Sequence, residues 1–551
     1  AVTTGTQNTL IGGLAGDALT TGGSNVAIGY EALTTEDTTG SSVAVGYRAL
    51  RVQNAGSASY NLAVGTLAGA ALTTAIRNTL IGGLSGDAIT TGGDNVSLGY
   101  NSLGSNTIGN SNVAIGKDSM SVNVAADRNV AVGLGALQAM TSATTLDTYN
   151  TAVGFNAGLS VTTGTENTLV GGQAGDALTE GARNVALGKS ALSAEDTGSR
   201  NVAVGWSALG ALNYDGNGNN TALGYYAGAL MTTGTHNTLV GSLAGDALTT
   251  GSSNVAIGLQ ALSTEDEHGL NIAIGHNALT SLNAGADAYN VAIGHFAGEN
   301  MTTGIENTLI GGEAGDAMTT GSYNNLIGVS AGGAITIGRY NVANGHGALS
   351  SNILTDANVA VGFQALQAFV GDGSTNNQTT YNTAVGYRAG YALSTGARNT
   401  LIGGLAGDTI TTGNFNTALG YQALAAEDTG NYNTAIGYKA LALQDAGDAY
   451  NTAVGFSAGE NMTTGVNNTL IGSLAGDALT TGVQNVAVGY EALSTENAHG
   501  TVVAVGFQAL KTQDAGANTY NVAVGYQAGV AVTTGIYNTL VGGLAGDALT
   551  I

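Results

Sequence analysis

The chain of 551 residues contains no cysteine and no proline. The lack of cysteine excludes disulfide bonds and thiol chemistry. Only 9% of the residues are charged, whereas about a quarter is usual in globular domains, which also contain proline in their turns. This composition argues against an ordinary multidomain enzyme, although 43% hydrophobic residues are enough to form a core.

Basic residues are also scarce, because 13 Lys and Arg stand against 37 Asp and Glu, which gives a formal net charge of −24. Nucleic acids and anionic membrane surfaces are bound mainly through Lys and Arg, so both partners are disfavoured. The sequence contains no apolar run long enough for a transmembrane helix. We therefore expect no nucleic-acid partner and no membrane contact within this segment.

Glycine is abundant, with 89 residues, and many of these belong to a repeated segment, "NTLIGGLAGDALTTG". This stretch and its close variants define larger repeats that start near residues 8, 78, 167, 237, 307, 399, 468 and 538. A shorter pattern, Asn-x-small/Leu-aliphatic-Gly, occurs in about 31 units, most often 17 residues apart. Asparagine leads all of these units except two, which begin with Ser42 and Val502.

The 17-residue unit predicts a β-structure. It is too short for a two-helix repeat, which needs roughly 33 residues. In "NVAIGY" (25–30), larger apolar and small residues alternate with period 2, and "ALTT" (32–35) is interpreted as a second short strand. We therefore predict an all-β fold, a parallel β-solenoid or β-roll of about 31 coils of roughly 17 residues, as one continuous array over residues 1–551. Because "AVTTGTQN" at the start matches "AVTTGIYN" at 531, we expect an excerpt of a longer array without its caps.

The alternation defines two faces, Val26 with Ile28 and Ala27 with Gly29, and neither is charged. A sheet with one solvent-exposed face would carry polar residues at alternate positions. One face lines the inside of the coil, and the other needs a partner such as a neighbouring chain. A symmetric homotrimer is the preferred assembly, although the alternation alone does not fix the number of chains.

The leading asparagines predict a structural ladder. At the same corner of successive coils, their side-chain amides can form hydrogen bonds along the stack. The ladder is expected to contain Asn8, Asn25, Asn61, Asn78 and Asn95.

Acidic residues recur in two registers, one in "AGDALTTG" with Asp17 and Asp87, and one in a turn a coil later with Glu36 and Asp37. Adjacent acidic turns can bind calcium, which prefers several oxygen ligands. A turn aspartate more often bonds its own backbone, which is the alternative interpretation. No other metal, no cofactor and no catalytic set is predicted, since the chain has no phosphate loop, zinc-ligand spacing or cysteine nucleophile.

The residue after the core glycine is often aromatic, which predicts a stripe along the coils. Such a stripe can pack against an adjacent chain or bind sugars. The longest loops, roughly residues 138–149 and 367–381, are either solvated spacers or further contact points. The stripe is expected to contain Tyr30, Tyr47, Trp206, Tyr421, Tyr438, Phe456, Tyr490, Phe507 and Tyr526.

The segments "NVAIGYEAL", "NTAVGYRAG" and "NTALGYQAL" resemble the YadA-like head repeat of trimeric autotransporter adhesins. Related repeats in the shafts of phage tail fibres are also similar. The resemblance covers essentially the whole chain and implies a left-handed β-roll, three associated chains and a cell-surface, virion-surface or other extracellular location. The chain departs from the adhesin pattern in its coil length, which exceeds that of the usual head unit.

The leading functional hypothesis is a structural rod of an extracellular or virion-surface fibre. About 31 coils with a rise of about 4.8 Å each would extend on the order of 150 Å. Two alternatives stay open: an adhesin head that binds a host protein or glycan through the stripe or the long loops, and a repeat subunit that stacks end to end in an extracellular filament. An enzyme is not expected.

Overall fold

The computed structural model describes residues 2–551 except 39, 143 and 373–377. Its recurrent element is a strand of three residues that directly follows the leading asparagine of each repeat. The described residues form strands, turns and bends without an α-helix. In that part of the chain, accordingly, no helix is long and apolar enough to cross a membrane.

The chain divides into two compact units, residues 1–271 and 272–551. In each unit, the three-residue strands form parallel pairs with the next strand in sequence. The strands of the first unit are β1 (Thr9–Ile11), β2 (Val26–Ile28), β3 (Val43–Val45), β4 (Leu62–Val64), β5 (Thr79–Ile81), β6 (Val96–Leu98), β7 (Val113–Ile115), β8 (Ala126–Asp127), β9 (Val130–Val132), β10 (Leu146–Asp147), β11 (Thr151–Val153), β12 (Thr168–Val170), β13 (Val185–Leu187), β14 (Val202–Val204), β15 (Thr221–Leu223), β16 (Thr238–Val240) and β17 (Val255–Ile257).

The second unit repeats the same arrangement. Its strands are β18 (Ile272–Ile274), β19 (Val291–Ile293), β20 (Thr308–Ile310), β21 (Asn325–Ile327), β22 (Val342–Asn344), β23 (Thr355–Asp356), β24 (Val359–Val361), β25 (Gln378–Thr379), β26 (Thr383–Val385), β27 (Thr400–Ile402), β28 (Thr417–Leu419), β29 (Thr434–Ile436), β30 (Thr452–Val454), β31 (Thr469–Ile471), β32 (Val486–Val488), β33 (Val503–Val505), β34 (Val522–Val524) and β35 (Thr539–Val541).

The pairing confirms the predicted solenoid of about 31 coils. Thr9 pairs with Val26, and Val26 pairs with Val43, so equivalent residues of successive coils lie side by side. The usual step between them is 17 residues. The prediction that one uninterrupted array covers residues 1–551 stays a prediction.

The predicted second strand of each coil was wrong. Residues 32–35, "ALTT", form a turn and an irregular segment. Glu31 and Leu33 adopt left-handed conformations, with φ of 54° and 52°, and these interrupt the extended backbone that a strand requires. The segment still bonds to the next coil, since the amide of Leu33 donates to the carbonyl of Ala49 at 3.0 Å.

The middle residue of each strand points into the coil, whereas the first and third residues point outward. Ala27 is fully buried, while Val96 and Leu98 of β6 are 38% and 44% exposed. The small-residue face therefore lines the interior, and the Val/Ile face is the one left for a partner.

Leucine alternates between two core positions, which explains why "NTLIGGLAGDALTTG" recurs; a separate buried position is occupied by residues such as Leu19 and Leu72. The strand centre is the middle strand residue, and the turn position is the residue six places later. Where the strand centres of a coil and of the following coil are both small, as at Ala44 and Ala63, the turn position supplies a buried leucine, here Leu50. Where the strand centre is Leu80, the turn positions of its own coil and the preceding coil are Gly86 and Gly69.

These glycines leave room for the strand leucine. A Cβ atom on Gly69 would lie 2.8 Å from Cδ1 of Leu80 and 2.9 Å from Cδ2 of Leu50. A Cβ on Gly86 would lie 2.9 Å from Cδ2 of Leu80. The two sources of leucine therefore exclude each other sterically, which keeps the interior filled without overpacking.

A second glycine column follows each strand for a different reason. Gly82 has φ of 134°, and a Cβ there would lie only 2.3 Å from the carbonyl oxygen of Gly99 in the next coil. Any other residue would collide with the backbone, so this glycine fixes the close stacking of coils.

We predict that Leu80→Ala lowers the stability of the protein by about 2–5 kcal/mol, because it leaves a cavity between the two glycines. Gly69→Leu is also destabilising, since its side chain collides with Leu80. The double variant should lose less than the sum of the two, because each change relieves the other.

Denaturation of the four proteins, followed by circular dichroism, measures this coupling. Leu230→Ala serves as a control, since Leu230 is exposed and should change the midpoint little. Strictly additive losses would contradict the complementarity of the two positions.

Candidate interaction surface

The outward strand residues form a continuous apolar face in each unit. The third strand residue is Val, Ile or Leu in every coil except one, which has Asn344. The first is Val, Ile, Leu or Thr except at Asn325, and no charged residue occurs at either position. We call these two rows the outer face. Its side chains are half-buried or exposed, unlike the buried strand centres.

The predicted aromatic stripe lies along one border of the outer face, directly after the glycine that follows each strand. Its rings are exposed and stack between successive coils. The ring centroids are 5.8 Å apart for Tyr30 and Tyr47, 5.7 Å for Tyr421 and Tyr438, 5.2 Å for Tyr438 and Phe456, 5.3 Å for Tyr490 and Phe507, and 5.3 Å for Phe507 and Tyr526.

A second aromatic track, which the sequence reasoning missed, borders the other side of the outer face. Its residues directly precede the leading asparagine, as in "AYN" and "TYN", which is the signal that could have revealed them. These rings are exposed and also stack. The stacked pairs are Tyr323 with Tyr340 at 5.1 Å, Phe415 with Tyr432 at 5.2 Å, Tyr432 with Tyr450 at 4.9 Å and Tyr520 with Tyr537 at 5.5 Å.

Stacking determines what the rings can bind. A ring between two stacked neighbours has both faces covered and presents mainly its edge. The cluster around Trp206, the only tryptophan, differs from the simple stacks. Its indole stacks on Tyr225 at 5.2 Å and meets Tyr226 edge-on at 4.5 Å, so aromatic surfaces of two orientations lie together.

The leading asparagines connect adjacent coils through their side chains. The backbone amides of Asn25 and Asn95 donate to Oδ1 of Asn8 and Asn78, respectively, at 2.9 and 3.0 Å. Nδ2 of Asn78 donates to the carbonyl of Gly92 at 3.0 Å, fourteen residues further on. Its own amide donates to Oδ1 of Asn61 at 2.8 Å.

The contacts are therefore more than an amide-to-amide ladder, because most of them join a side chain to backbone. Asn25, Asn61, Asn78 and Asn95 are buried, and Asn8 is partly buried. Loss of such a side chain would leave buried backbone groups unpaired, at a cost of about 1–3 kcal/mol each.

The two coils without a leading asparagine use a different network. At Ser42, Nε2 of Gln53 donates to Oγ of Ser42 and to Oε2 of Glu36, both at 2.8 Å. At Val502, Gln513 takes the same place, and its Oε1 accepts from Nδ2 of Asn521 at 2.8 Å. A buried glutamine thus lies eleven residues later in both coils, and Gln444 makes the equivalent contact with Asn451, at 2.9 Å, in a coil that is led by Asn433.

Buried glutamates occupy an interior corner in several coils. Glu195 and Glu427 are fully buried, and Oε1 of each accepts from a backbone amide three residues later, Gly198 at 2.8 Å and Gly430 at 2.7 Å. Oε2 of Glu195 has no hydrogen-bond partner among the described residues. Burial raises the pKa of both glutamates to about 7, because the interior disfavours the ionised carboxylate.

The four acidic residues proposed for calcium do not form one group. Asp17 and Asp87 occupy equivalent positions four coils apart, which corresponds to about 19 Å. Oε2 of Glu36 accepts from Gln53, and Asp37 accepts from the hydroxyl of Thr20. Burial raises the pKa of Asp87 above its usual range. Calcium binding by an acidic turn stays a prediction.

One described turn brings three possible metal ligands together, namely Glu265, Asp266 and His268, whose ligand atoms lie within 4.8 Å of one another. Oε1 of Glu265 already accepts a hydrogen bond from the backbone amide of His268 at 3.2 Å. A similar turn joins Glu496 and His499, with Oε1 to amide at 3.1 Å. Because the turn is held by its own hydrogen bonds, a structural role explains the cluster.

The two long loops are described only in part, because residues 143 and 373–377 of the predicted segments 138–149 and 367–381 lie outside the described residues. In the first loop, β10 pairs with β8, and Arg128 forms an ion pair with Asp147. Nη1 of Arg128 also donates to the hydroxyl of Tyr149 at 2.8 Å. In the second, β25 pairs with β23. These contacts dock the described parts of the loops on the preceding coils.

No protein-family model matches the chain, and a search of curated proteins finds no match either. The solenoid itself defines the chain as a β-solenoid repeat protein. Membership of the YadA-like family stays a prediction from the quoted repeats.

We predict that acidification stabilises the protein. Glu195 and Glu427 have a folded pKa of about 7, above the value of 4.5 expected for the unfolded chain, so the folded state binds protons that the unfolded state has lost. This stabilisation is complete below pH 4.5 and is lost as pH rises through 7. The change amounts to roughly 3 kcal/mol per residue.

Thermal or denaturant midpoints between pH 4 and 8 measure this dependence. Glu195→Gln and Glu427→Gln should flatten the curve, because glutamine stays neutral throughout. Glu180→Gln, at an exposed position, should leave the curve unchanged. Equal slopes in the buried and exposed variants would show that the buried carboxyls do not titrate as described.

Proposed function

We propose that the protein is a structural rod of an extracellular or virion-surface fibre, in which copies of the chain associate through the outer face. A homotrimer of left-handed coils is the arrangement that the YadA-like and tail-fibre resemblance implies. The role is non-catalytic, and the rod provides length and stiffness.

The outer face carries the proposal. A chain with a net charge of −24 keeps two adjacent rows along each unit free of charge. Extended apolar patches of this kind mark interaction sites. Complete burial of one Val or Ile contributes about 1.5–3 kcal/mol, and the rows repeat in nearly every coil. Association of identical faces would bury them while the acidic turns stay in solvent.

The solenoid supports the mechanical part of the proposal. Each coil contacts only its neighbours, so adding coils lengthens the structure without redesigning its core. The buried asparagines bond each coil to the next, and the stacked rings reinforce the same direction. Resistance to separation of coils therefore comes from contacts repeated along the axis.

We predict that the double substitution Ile436→Lys and Val454→Lys dissociates the assembly. Both residues belong to the outer face, in the adjacent strands β29 and β30, and burial of two ammonium groups between apolar faces is unfavourable. Light scattering coupled to gel filtration should give about three chain masses of 54.1 kDa for the parent and one for the variant.

Ala498→Lys is the matched control, because Ala498 lies in an exposed turn away from the outer face. It should keep the parent mass. A monomeric parent protein at micromolar concentration would contradict self-association, whereas a broad distribution of large masses would favour the end-to-end filament over the trimer.

A second candidate function, attachment to a host-surface glycan, is supported by the Trp206 cluster. Pyranose rings bind to aromatic faces through their apolar C–H surfaces, and Trp206, Tyr225 and Tyr226 present such faces in two orientations. The tryptophan also provides a direct spectroscopic signal, since it is the only one in the chain.

We predict that a glycan selected from an array of mammalian and bacterial surface glycans changes the fluorescence of Trp206. Trp206→Ala should weaken binding on the array up to about tenfold, which corresponds to the loss of one aromatic contact. Phe155→Ala, an exposed member of the stripe outside the cluster, is the control. Equal effects of the two substitutions would remove the site from consideration.

A further inference from the structure

Exposed tyrosines form parallel pairs on adjacent coils. Tyr432 and Tyr450 have ring centroids 4.9 Å apart and planes within 5° of each other. For Tyr520 and Tyr537, the values are 5.5 Å and 0°. Tyr432 and Tyr450 are 44% and 53% exposed, so small oxidants reach them from solvent.

The backbone under these pairs has the left-handed conformation that recurs at this coil position. Tyr432, Tyr450, Tyr520 and Tyr537 all have positive φ, between 52° and 62°. Bulky residues rarely adopt this conformation, and glycine or asparagine would be more comfortable there. The residue directly before the leading asparagine, or before Ser42 or Val502 in its place, is never glycine, although the chain contains 89 glycines. The same position also has positive φ where it is not aromatic, as at Ser24 (61°) and Arg77 (59°), so this conformation belongs to the coil, and the stacking distinguishes the paired tyrosines.

The composition indicates what the use is. The chain has no cysteine and therefore no disulfide to join its coils. Tyrosine accounts for 22 of its aromatic residues, against 7 phenylalanines and 1 tryptophan. Phenols differ from phenylalanine in one reaction above all: two of them can be joined by one-electron oxidation.

We propose that the stacked tyrosine pairs of the second aromatic track, Tyr323 with Tyr340, Tyr432 with Tyr450 and Tyr520 with Tyr537, are sites of oxidative coupling to dityrosine. Each phenol loses one electron and its hydroxyl proton to become a tyrosyl radical. The two radicals join through the ring carbons next to the oxygens, and one hydrogen leaves each of these carbons as the rings regain aromaticity and the oxygens are reprotonated. Hydrogen peroxide, activated by a haem peroxidase, accepts the two electrons and two protons and becomes two water molecules.

The consequence is a covalent staple between successive coils. Tyr432 and Tyr450 are eighteen residues apart in sequence but adjacent in space, so the bond closes one coil of the solenoid. A cross-link of this kind restricts the unfolded chain, as a disulfide does. This inference concerns each chain by itself, and it stands whether or not the chain forms a trimer.

The chain contains its own control residues. Tyr60 and Tyr289 are exposed and occupy the same coil position, with φ of 51° and 52°. Their neighbours at that position in adjacent coils are Ser41 and Arg77 for Tyr60, and Leu270 and Glu306 for Tyr289. They therefore share exposure and backbone conformation with the paired residues but have no ring at that position in either flanking coil.

The test treats the full chain, at low micromolar concentration, with horseradish peroxidase and hydrogen peroxide. We expect dityrosine fluorescence and, after digestion, linked peptides containing Tyr432 and Tyr450 that lack two hydrogen atoms. Tyr432→Phe should abolish that linked species, because phenylalanine keeps the stacked ring without the phenol. Tyr60→Phe should leave it unchanged. The oxidised parent should unfold at a higher denaturant concentration than the untreated protein.

Linked peptides that involve Tyr60 or Tyr289 as often as the paired tyrosines would overturn the proposal, as would products found only between chains. Absence of dityrosine from the treated parent would also overturn it, and this outcome does not depend on whether any variant folds. The mass of the assembly, which tests the proposed trimer, is measured separately before oxidation.

Discussion

The structure depends on a buried asparagine at the corner of each coil. Its side-chain oxygen accepts a hydrogen bond from the backbone amide of the next leading residue, and its side-chain nitrogen donates one to a carbonyl near the end of its own coil, as in Asn78. Leaving a buried amide without a hydrogen bond costs about 1–3 kcal/mol of folding free energy. Successive coils therefore lie at the distance that allows these hydrogen bonds to form. At the two exceptions the accepting half of this contact persists, since the amides of Ser42 and Val502 donate to Oδ1 of Asn25 and Asn485.

Between these hydrogen-bonded corners, leucine fills the interior from either the strand centre or the turn position. Leucine occupies either the strand centre, as with Leu80, or the turn, as with Leu50, beside a further buried position that is filled by residues such as Leu72. The interior is too narrow for both, which the distances at Gly69 demonstrate. The larger repeat of the sequence is therefore a packing pattern, and it needs no ligand to explain it. The buried glutamates differ from this aliphatic packing, since Glu195 places a carboxyl group in a corner that is aliphatic in several other coils.

The surface is organised by the same periodicity. The charges lie outside the three-residue strands, the outer face follows these strands, and aromatic residues border it on both sides. Every class of side chain is repeated along the coils, so a weak contact made by one coil becomes a row of contacts. This multiplication is the physical basis for proposing self-association and, at the Trp206 cluster, attachment. It also places phenol rings close enough for the coupling inferred above.

Four features could be predicted from the sequence alone: the coil length, the position of the three-residue strands, the absence of charge on both strand faces and the register of the first aromatic stripe. These features follow from local periodicity, which a three-residue strand such as Val26–Ile28 already displays. Which face lies inside could not be predicted in this way, because Ala27 and Val26 exchange roles if the chain curves in the other direction.

The direction of that curvature is set by turn residues with positive φ, such as Glu31 and Leu33, and a sequence of ordinary residue types does not reveal them. The same residues removed the expected second strand. The stacking of the second aromatic track and the burial of Glu195 follow from the stacked coils, since each depends on what lies one coil away and not on its neighbours in sequence.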